Sequence, residues 1–406
     1  MRLHKNPVIG GLEKQLTNPD LIIRYCKSCV VSNQRPRITL NSDGVCSACI
    51  FAREKYNSID WAERELELND ILNKHRSTTG NWDVIVPCSG GKDSSYVAHQ
   101  LKTKYGMHPL TVTWAPFKHT EVGLENLLNF VDSGFNNIFA YPNGLLHKKL
   151  SRLCFEELGD AWQPFTYGQM CYAFHIAHKM NIQLVFFGEN GEAEYGGDPK
   201  NNYKSHMPLE DWADLYFKGT TIDNLIKFGI ENKDYLNTSD FNPSDLTFYR
   251  PPPIEDLFNQ NIQMHWYSYY HKWIPQENYY YSLENTGFKA NKGRSEGTYS
   301  KYASLDDKMD GFHFYMAFIK FGIGRATSDA SHEIRDGHLT RDEGVALVRR
   351  FDGEFPSKYF DEFLEYIHMT EEEFWEVVDY YRRDHIWKKE YGEWKLIQQV
   401  SELRPY

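Results

Sequence analysis

"VIVPCSGGKDSSYVAHQL", residues 84–101, reads as a strand, a bare turn and a helix in succession. Val84, Ile85 and Val86 form a short apolar run suited to a strand covered on both faces. Ser89-Gly90-Gly91-Lys92-Asp93-Ser94 follows, and a helical pattern starts near Ser94. Two adjacent glycines let the backbone turn tightly and approach an anion with no Cβ in the way. The helix directs free N–H groups and the positive end of its dipole at the same point. Ser89 and Ser94 add hydroxyl donors and Lys92 a full charge, so the stretch is a candidate phosphate cradle. Asp93 beside a phosphate needs Mg²⁺ to bridge them, or else serves to orient the loop. The spacing is not Gly-x-x-x-x-Gly-Lys-Ser/Thr. An ordinary strand-to-helix turn is the bland alternative.

Working outward, strands are expected at 83–87, 109–114, 137–141 and 183–188, with a further one near 262–268. Helices are expected at 60–76, 94–105, 120–132 and 145–181, the last broken near Trp162-Gln163-Pro164. Strand alternating with helix implies right-handed crossovers and a parallel, doubly wound α/β sheet. Ligands of such sheets sit beyond the carboxyl ends of the strands. The hexapeptide ends the first strand and Gly188-Glu189-Asn190-Gly191 ends the fourth, so both belong to one site. Residues 198–260 read as an insertion with a helix at 221–229, and the chain from 304 onward as helical and charged. The expected organisation is an N-terminal segment (1–58), an α/β domain (59–290) and a C-terminal region (291–406) that opens with a substrate loop.

Four of the seven cysteines form Cys26-x-x-Cys29 and Cys46-x-x-Cys49. Two such knuckles at this separation match a zinc ribbon, four thiolates around Zn²⁺, with Asp43-Gly44 turning between short strands. Disulfides or an iron–sulfur cluster are the alternatives. Four protein ligands leave no open position, so this metal is expected to fold the segment. Cys88, Cys154 and Cys171 lack such company and read as small buried side chains. With 41% hydrophobic and 25% charged residues, the 406-residue chain has the composition of a globular protein. No apolar run approaches the roughly 20 residues of a membrane span. The opening MRLHKNPVIGGLEKQL has no signal-peptide core, and the expected location is cytoplasmic. A net charge of −11 argues against a nucleic-acid partner.

SGGKDS resembles the pyrophosphate-binding loop of the N-type ATP pyrophosphatases, the PP-loop group with an adenine nucleotide alpha hydrolase-like fold. That resemblance implies ATP with Mg²⁺, attachment of AMP to a carbonyl oxygen, release of pyrophosphate, and displacement of AMP by a nucleophile. Four longer segments are similar to the N-acetyl sugar amidotransferases of bacterial surface-polysaccharide, O-antigen and nonulosonic-acid biosynthesis. They are "YCKSCVVSNQRPRITLNSDGVCSAC", "VPCSGGKDSSY", "GENGEAEYGG" and "GRSEGTYSKYASLDDKMDGFHFYMAFIKFGIGRATSDASHEIRDG". This second resemblance implies conversion of an acetamido group on a nucleotide-linked sugar to an acetamidino group, with ammonia from a class I glutamine amidotransferase partner. The chain offers no glutaminase signature of its own: position 2 is Arg, and none of Cys88, Cys154 or Cys171 sits on a Gly-x-Cys-x-Gly turn. A PP-loop tRNA thiolase is the rival reading.

Candidate residues follow from the chemistry. Adenylation calls for stabilised phosphoryl oxygens more than for a protein nucleophile. Ser89, Gly90, Gly91, Lys92, Asp93 and Ser94 are expected at the nucleotide, with Trp114 at the adenine and Gly188, Glu189 and Asn190 beside them. Lys92, Asp93 and Glu189 are expected in catalysis. A second set of cations is expected from the late loop, Lys292, Arg294, Lys301 and Lys308, with Arg294 and Lys301 placed among the catalytic candidates. Glu189, Glu192 and Glu194 suggest Mg²⁺ or ammonia contacts, and Arg325 a bidentate contact to a sugar carboxylate or diphosphate.

Overall fold

A computed structural model describes residues 9–16, 20–206, 216–232 and 236–401. Residues 207–215 and 233–235 of the expected insertion, and the two chain ends, lie outside the described residues.

Five strands make one parallel sheet: β1 (Val84–Pro87), β2 (Pro109–Trp114), β3 (Asn136–Ala140), β4 (Leu184–Phe187) and β5 (Gln263–Trp266). Their order is β3-β2-β1-β4-β5. The chain therefore runs outward from β1 in one direction, then returns to its other side at β4. This reversal opens a crevice above the carboxyl ends of β1 and β4. The central strands are buried because their residues are apolar on both faces: Val84, Ile85, Val86, Leu184, Val185 and Phe186 are almost fully inaccessible.

Helices α1 (Ser47–Asn57) and α2 (Trp61–His75) precede the sheet, α2 capped by the Asp60 carboxylate. Helices α3 (Lys92–Thr103), α4 (Glu121–Asp132), α5 (Gly144–Leu158) and α6 (Gln163–Met180) connect the strands. The break expected near Pro164 is present: Gly159 ends α5 at φ +62, and Pro164 sits in the first turn of α6. Between β4 and β5 lie α7 (Gly191–Tyr195), α8 (Ile222–Asn232) and α9 (Ile254–Asn259). Beyond β5 come α10 (Tyr267–Tyr270) and α11 (Pro275–Asn285), the latter packed on α3. The C-terminal region follows as α12 (Asp310–Phe321), α13 (Arg325–Arg335), α14 (Arg341–Phe351), α15 (Phe360–Ile367) and α16 (Glu371–Tyr381), then a hairpin of β6 (Trp387–Glu390) and β7 (Glu393–Leu396). It has its own aromatic core, in which Phe312 stacks on Phe363 with ring centroids 4.0 Å apart. No helix of the described residues is long and apolar enough to cross a membrane.

Candidate functional site

A cavity of about 560 Å³ opens at the crevice, a size suited to a nucleotide or comparable ligand. Its near wall is the glycine loop. Gly90 adopts φ +83, and a Cβ there would lie 2.5 Å from the Leu127 backbone, so the turn requires glycine. At Gly91 a Cβ would meet only Ser89 Oγ, at 3.4 Å. Packing does not demand glycine at that position, and its bareness is available to a ligand. Helix α3 starts at Lys92, two residues earlier than expected, with Gly91 as an N-cap that offers no side-chain acceptor. Its first-turn N–H groups thus face the cavity lined by Ser89 to Ser94. Lys92 Nζ lies 2.5 Å from Asp93 Oδ2. From α11, Asn278 donates to Asp93 Oδ1 at 2.9 Å and Ser282 Oγ to the Lys92 carbonyl at 2.7 Å, holding the loop from behind.

Of Glu189, Glu192 and Glu194, only Glu189 lines the cavity. Burial, then the Asp93 carboxylate, pushes its pKa up to about 7, while Lys92 pulls it back. The two carboxylates repel each other across the cavity, a repulsion that Lys92 relieves in part and a bound cation would relieve further. Tyr195 lines the same wall, its hydroxyl 3.4 Å from Glu189 Oε1. Glu192 and Glu194 turn away: Glu192 pairs with Arg37 at 2.8 Å, and Glu194 with Lys55 at 3.0 Å. Asn190 is buried, capping α7 through Glu192 N and donating to the Asn201 carbonyl. Its place is structural rather than on the cavity wall. Gly188 and Trp114 do line the cavity. The Trp114 indole is 5% exposed and packs edge-on against Tyr249, and Gly168 leaves it room: a Cβ there would come within 2.0 Å of the ring.

The facing wall is α13. Arg325, Ser328, Asp329, His332 and Glu333 line the cavity, one helical face at i, i+3, i+4, i+7 and i+8, with His332 Nε2 3.3 Å from Glu194 Oε2. Ala326, Ala330 and Ser331 are buried on its other side. Asp329 accepts from Arg325 Nε at 3.1 Å and from Thr298 Oγ1 at 2.6 Å. Burial opposes the Arg325 charge, but Asp329 and Asp310 outweigh it and move its pKa up. The Asp352 carboxylate fixes the start of α13 by accepting from Gly324 N at 3.1 Å and Thr327 N at 3.0 Å. Tyr302 completes the wall, stacked on Tyr279 with centroids 4.4 Å apart.

The late-loop cations lie elsewhere. Arg294 forms a two-pronged pair with Glu354, at 2.6 and 2.7 Å, and Lys308 pairs with Glu362 at 3.1 Å. Lys292 and Lys301 are exposed. None of the four lines the cavity; the cation that reaches it from the C-terminal region is Arg325. Tyr195, Tyr302, His332 and Glu333 were not singled out in the sequence. For His332 and Glu333 the signal is the polar spacing along 325–336, which on a helix with a small-residue back face marks a wetted cavity wall; Tyr195 and Tyr302 carry no comparable signal.

The four cysteines converge, with Cys26 Sγ 3.9 Å from Cys49 Sγ and Cys29 Sγ 3.7 Å from Cys46 Sγ. Thiolates at the corners of a Zn²⁺ tetrahedron, with Zn–S about 2.3 Å, are about 3.8 Å apart. The set therefore fits one Zn²⁺, and it is too tight for a multi-iron cluster and too open for disulfides. Antiparallel bridges Tyr25–Ser32 and Leu40–Cys46, with Gly44 at φ +77, form the knuckles. The remaining cysteines are buried, and burial raises the pKa of Cys88, Cys154 and Cys171 alike.

The fold and cavity define a parallel α/β protein with a glycine loop and the start of α3 at its switch point. Residues 296–401, which supply the α13 wall, match the family model described as "LPS biosynthesis protein WbpG-like, C-terminal domain". Among solved structures, the NH3-dependent NAD synthetase from Campylobacter jejuni subsp. jejuni NCTC 11168, in complex with the nitrate ion, is similar at 15% identity. That match covers 50% of this chain and 95% of that one, with a TM-score of 0.26. No curated protein matches the sequence.

Proposed function

We propose that the chain is an ATP-dependent ligase that converts an acetamido group of a nucleotide-linked sugar to an acetamidino group. The observation that carries this is the placement of Ser89–Ser94 and Arg325 on facing walls of one cavity. The match of residues 296–401 to a domain described for lipopolysaccharide biosynthesis supports a sugar acceptor. The likeness of the four quoted segments to the N-acetyl sugar amidotransferases supports the amidination itself.

In this reading the loop amides, Ser89, Lys92 and Ser94 hold the departing pyrophosphate, and Trp114 borders the adenine. Asp93 and Glu189 would hold Mg²⁺, which supplies charge neutralisation at the phosphates when bound. Arg325, steered by Asp329, meets the acceptor's anionic end. The amide oxygen takes AMP, ammonia adds to the activated carbon, and AMP leaves with that oxygen. Ammonia comes from a separate class I glutaminase, because the buried, proton-bound thiols of Cys88, Cys154 and Cys171 offer no nucleophile. A tRNA thiolase calls for further cysteines at the nucleotide, and of these three only Cys88 lines the cavity, which weighs against that rival. The test is AMP and pyrophosphate release with ammonium, Mg²⁺ and ATP, comparing a panel of UDP-acetamido sugars with tRNA. A sugar-dependent signal is expected; release driven by tRNA alone would overturn the reading.

A further inference from the structure

The loop that carries Glu189 and Tyr195 is held from outside the α/β domain. Residues of the four-cysteine module and its helix α1 grip it along its length. Arg35 Nε donates to the Gly196 carbonyl at 3.0 Å and Ser47 Oγ to the Gly197 carbonyl at 3.2 Å. The Arg37 guanidinium reaches Glu192 Oε2 through two nitrogens, at 2.8 and 3.2 Å. Gly196 sits so close that a Cβ would meet Ile38 Cδ1 at 2.9 Å.

Lys55 goes further, because it touches both walls. Its ammonium lies 3.0 Å from Glu194 Oε2 on the loop, 3.3 Å from Asp336 Oδ1 just past α13, and 2.9 Å from the Trp273 carbonyl. Three donors meet three acceptors, which satisfies the ammonium completely. The side chains of Lys55, Glu194 and Asp336 are 1%, 3% and 2% exposed, so these contacts are largely shielded from water. Arg335 adds a parallel tie: Nη2 donates to the Glu194 carbonyl at 2.7 Å while Nη1 approaches Cys29 Sγ at 4.0 Å.

We propose that Lys55, with Arg37, is a positioning residue for the reaction site, and that the four-cysteine module is the brace that sets the gap between the Glu189–Tyr195 loop and α13. The proposal rests on reading the cavity as the site of reaction. It revises the simpler expectation that the metal only folds its own segment: loss of the brace should damage turnover in molecules that remain folded.

Two measurements on the full chain test it. In the first, hydrogen exchange of the 189–198 amides is compared for the zinc-loaded chain, the chelated chain, Lys55→Met and Arg37→Gln. Exchange there should rise by about tenfold or more in all three altered samples while β1 and β2 stay protected. In the second, kcat for sugar-dependent pyrophosphate release should fall about tenfold or more in Lys55→Met, with KM for ATP within about threefold, because the glycine loop is held by α11 instead. Should Lys55→Met fail to fold, Lys55→Met/Glu194→Gln/Asp336→Asn removes the buried charges together and takes its place. Unchanged exchange at 189–198 in the substituted and chelated chains would overturn the proposal, as would an unchanged kcat. A chain that releases no pyrophosphate with any acceptor would instead sink the functional reading, and the exchange result would still decide the brace.

Discussion

One wall of the cavity comes from six consecutive residues, Ser89 to Ser94, whereas the facing wall is spread along α13 from Arg325 to Asp336. The first is backbone chemistry: bare amides at a helix start, with one lysine and one acid beside them. The second is side-chain chemistry, set by helix spacing and by the remote cap from Asp352. A cradle for phosphate can be common to many proteins because every triphosphate presents the same oxygens. The wall that meets an acceptor has to be particular. Under the proposed function that division would give turnover to the loop and acceptor choice to the helix, and it can be tested from either side.

The largest effect is expected at the loop. Lys92→Ala should lower pyrophosphate release on the order of 10²-fold with little loss of stability, since it removes charge stabilisation at the phosphates. An unimpaired variant would detach the loop from the nucleotide. Arg325→Ala is expected to cost on the order of 10-fold, mainly as a higher KM for the sugar with KM for ATP unchanged. If KM for ATP rose instead, α13 would belong to the nucleotide and the comparison would break.

A smaller effect concerns pH. The Glu189 carboxyl binds its proton more tightly folded, at a pKa of about 7, than at its ordinary value of 4.5. Its contribution to stability is therefore full below about 4.5 and lost as pH rises through about 7. Glu189→Gln should flatten that loss and leave the variant the more stable of the two at pH 8 in Mg²⁺-free buffer. Urea midpoints at pH 5 and pH 8 read this directly, and equal pH slopes in the two proteins would refute it. Asp352→Ala should cost about 1 kcal/mol by uncapping α13, seen as a lower urea midpoint, with part of the Arg325 defect in KM for the sugar. The smallest change is expected for Arg294→Ala, which breaks a half-exposed surface pair worth less than about 1 kcal/mol. Its turnover should match the unaltered chain, and a large loss would return Arg294 to the site.

Much of the near wall was legible because its signals are contiguous. Val84-Ile85-Val86, the glycine pair and the helix after it declare strand, turn and helix without reference to anything distant. The cysteine spacing is equally local. The acids of "GENGEAEYGG" were harder, since the one-turn helix α7 sends Glu192 and Glu194 toward Arg37 and Lys55, partners far away in sequence. Asn190 ahead of Gly191-Glu192 was readable as an N-cap and not as a ligand. Two of the late-loop cations were hard to place for the same reason as the acids: Arg294 and Lys308 pair with Glu354 and Glu362, which no spacing rule connects to them.

The grip of Lys55 also orders events during synthesis. The four-cysteine knuckles span residues 26–49, a stretch that leaves the ribosome early. Glu194 and Asp336, which Lys55 must meet, emerge far later. A module that closed early would hold the Lys55 ammonium without these partners until most of the chain exists, and its docking is then expected late in biogenesis. Truncated products that stop short of α13 would carry a folded knuckle and a glycine loop but no assembled cavity.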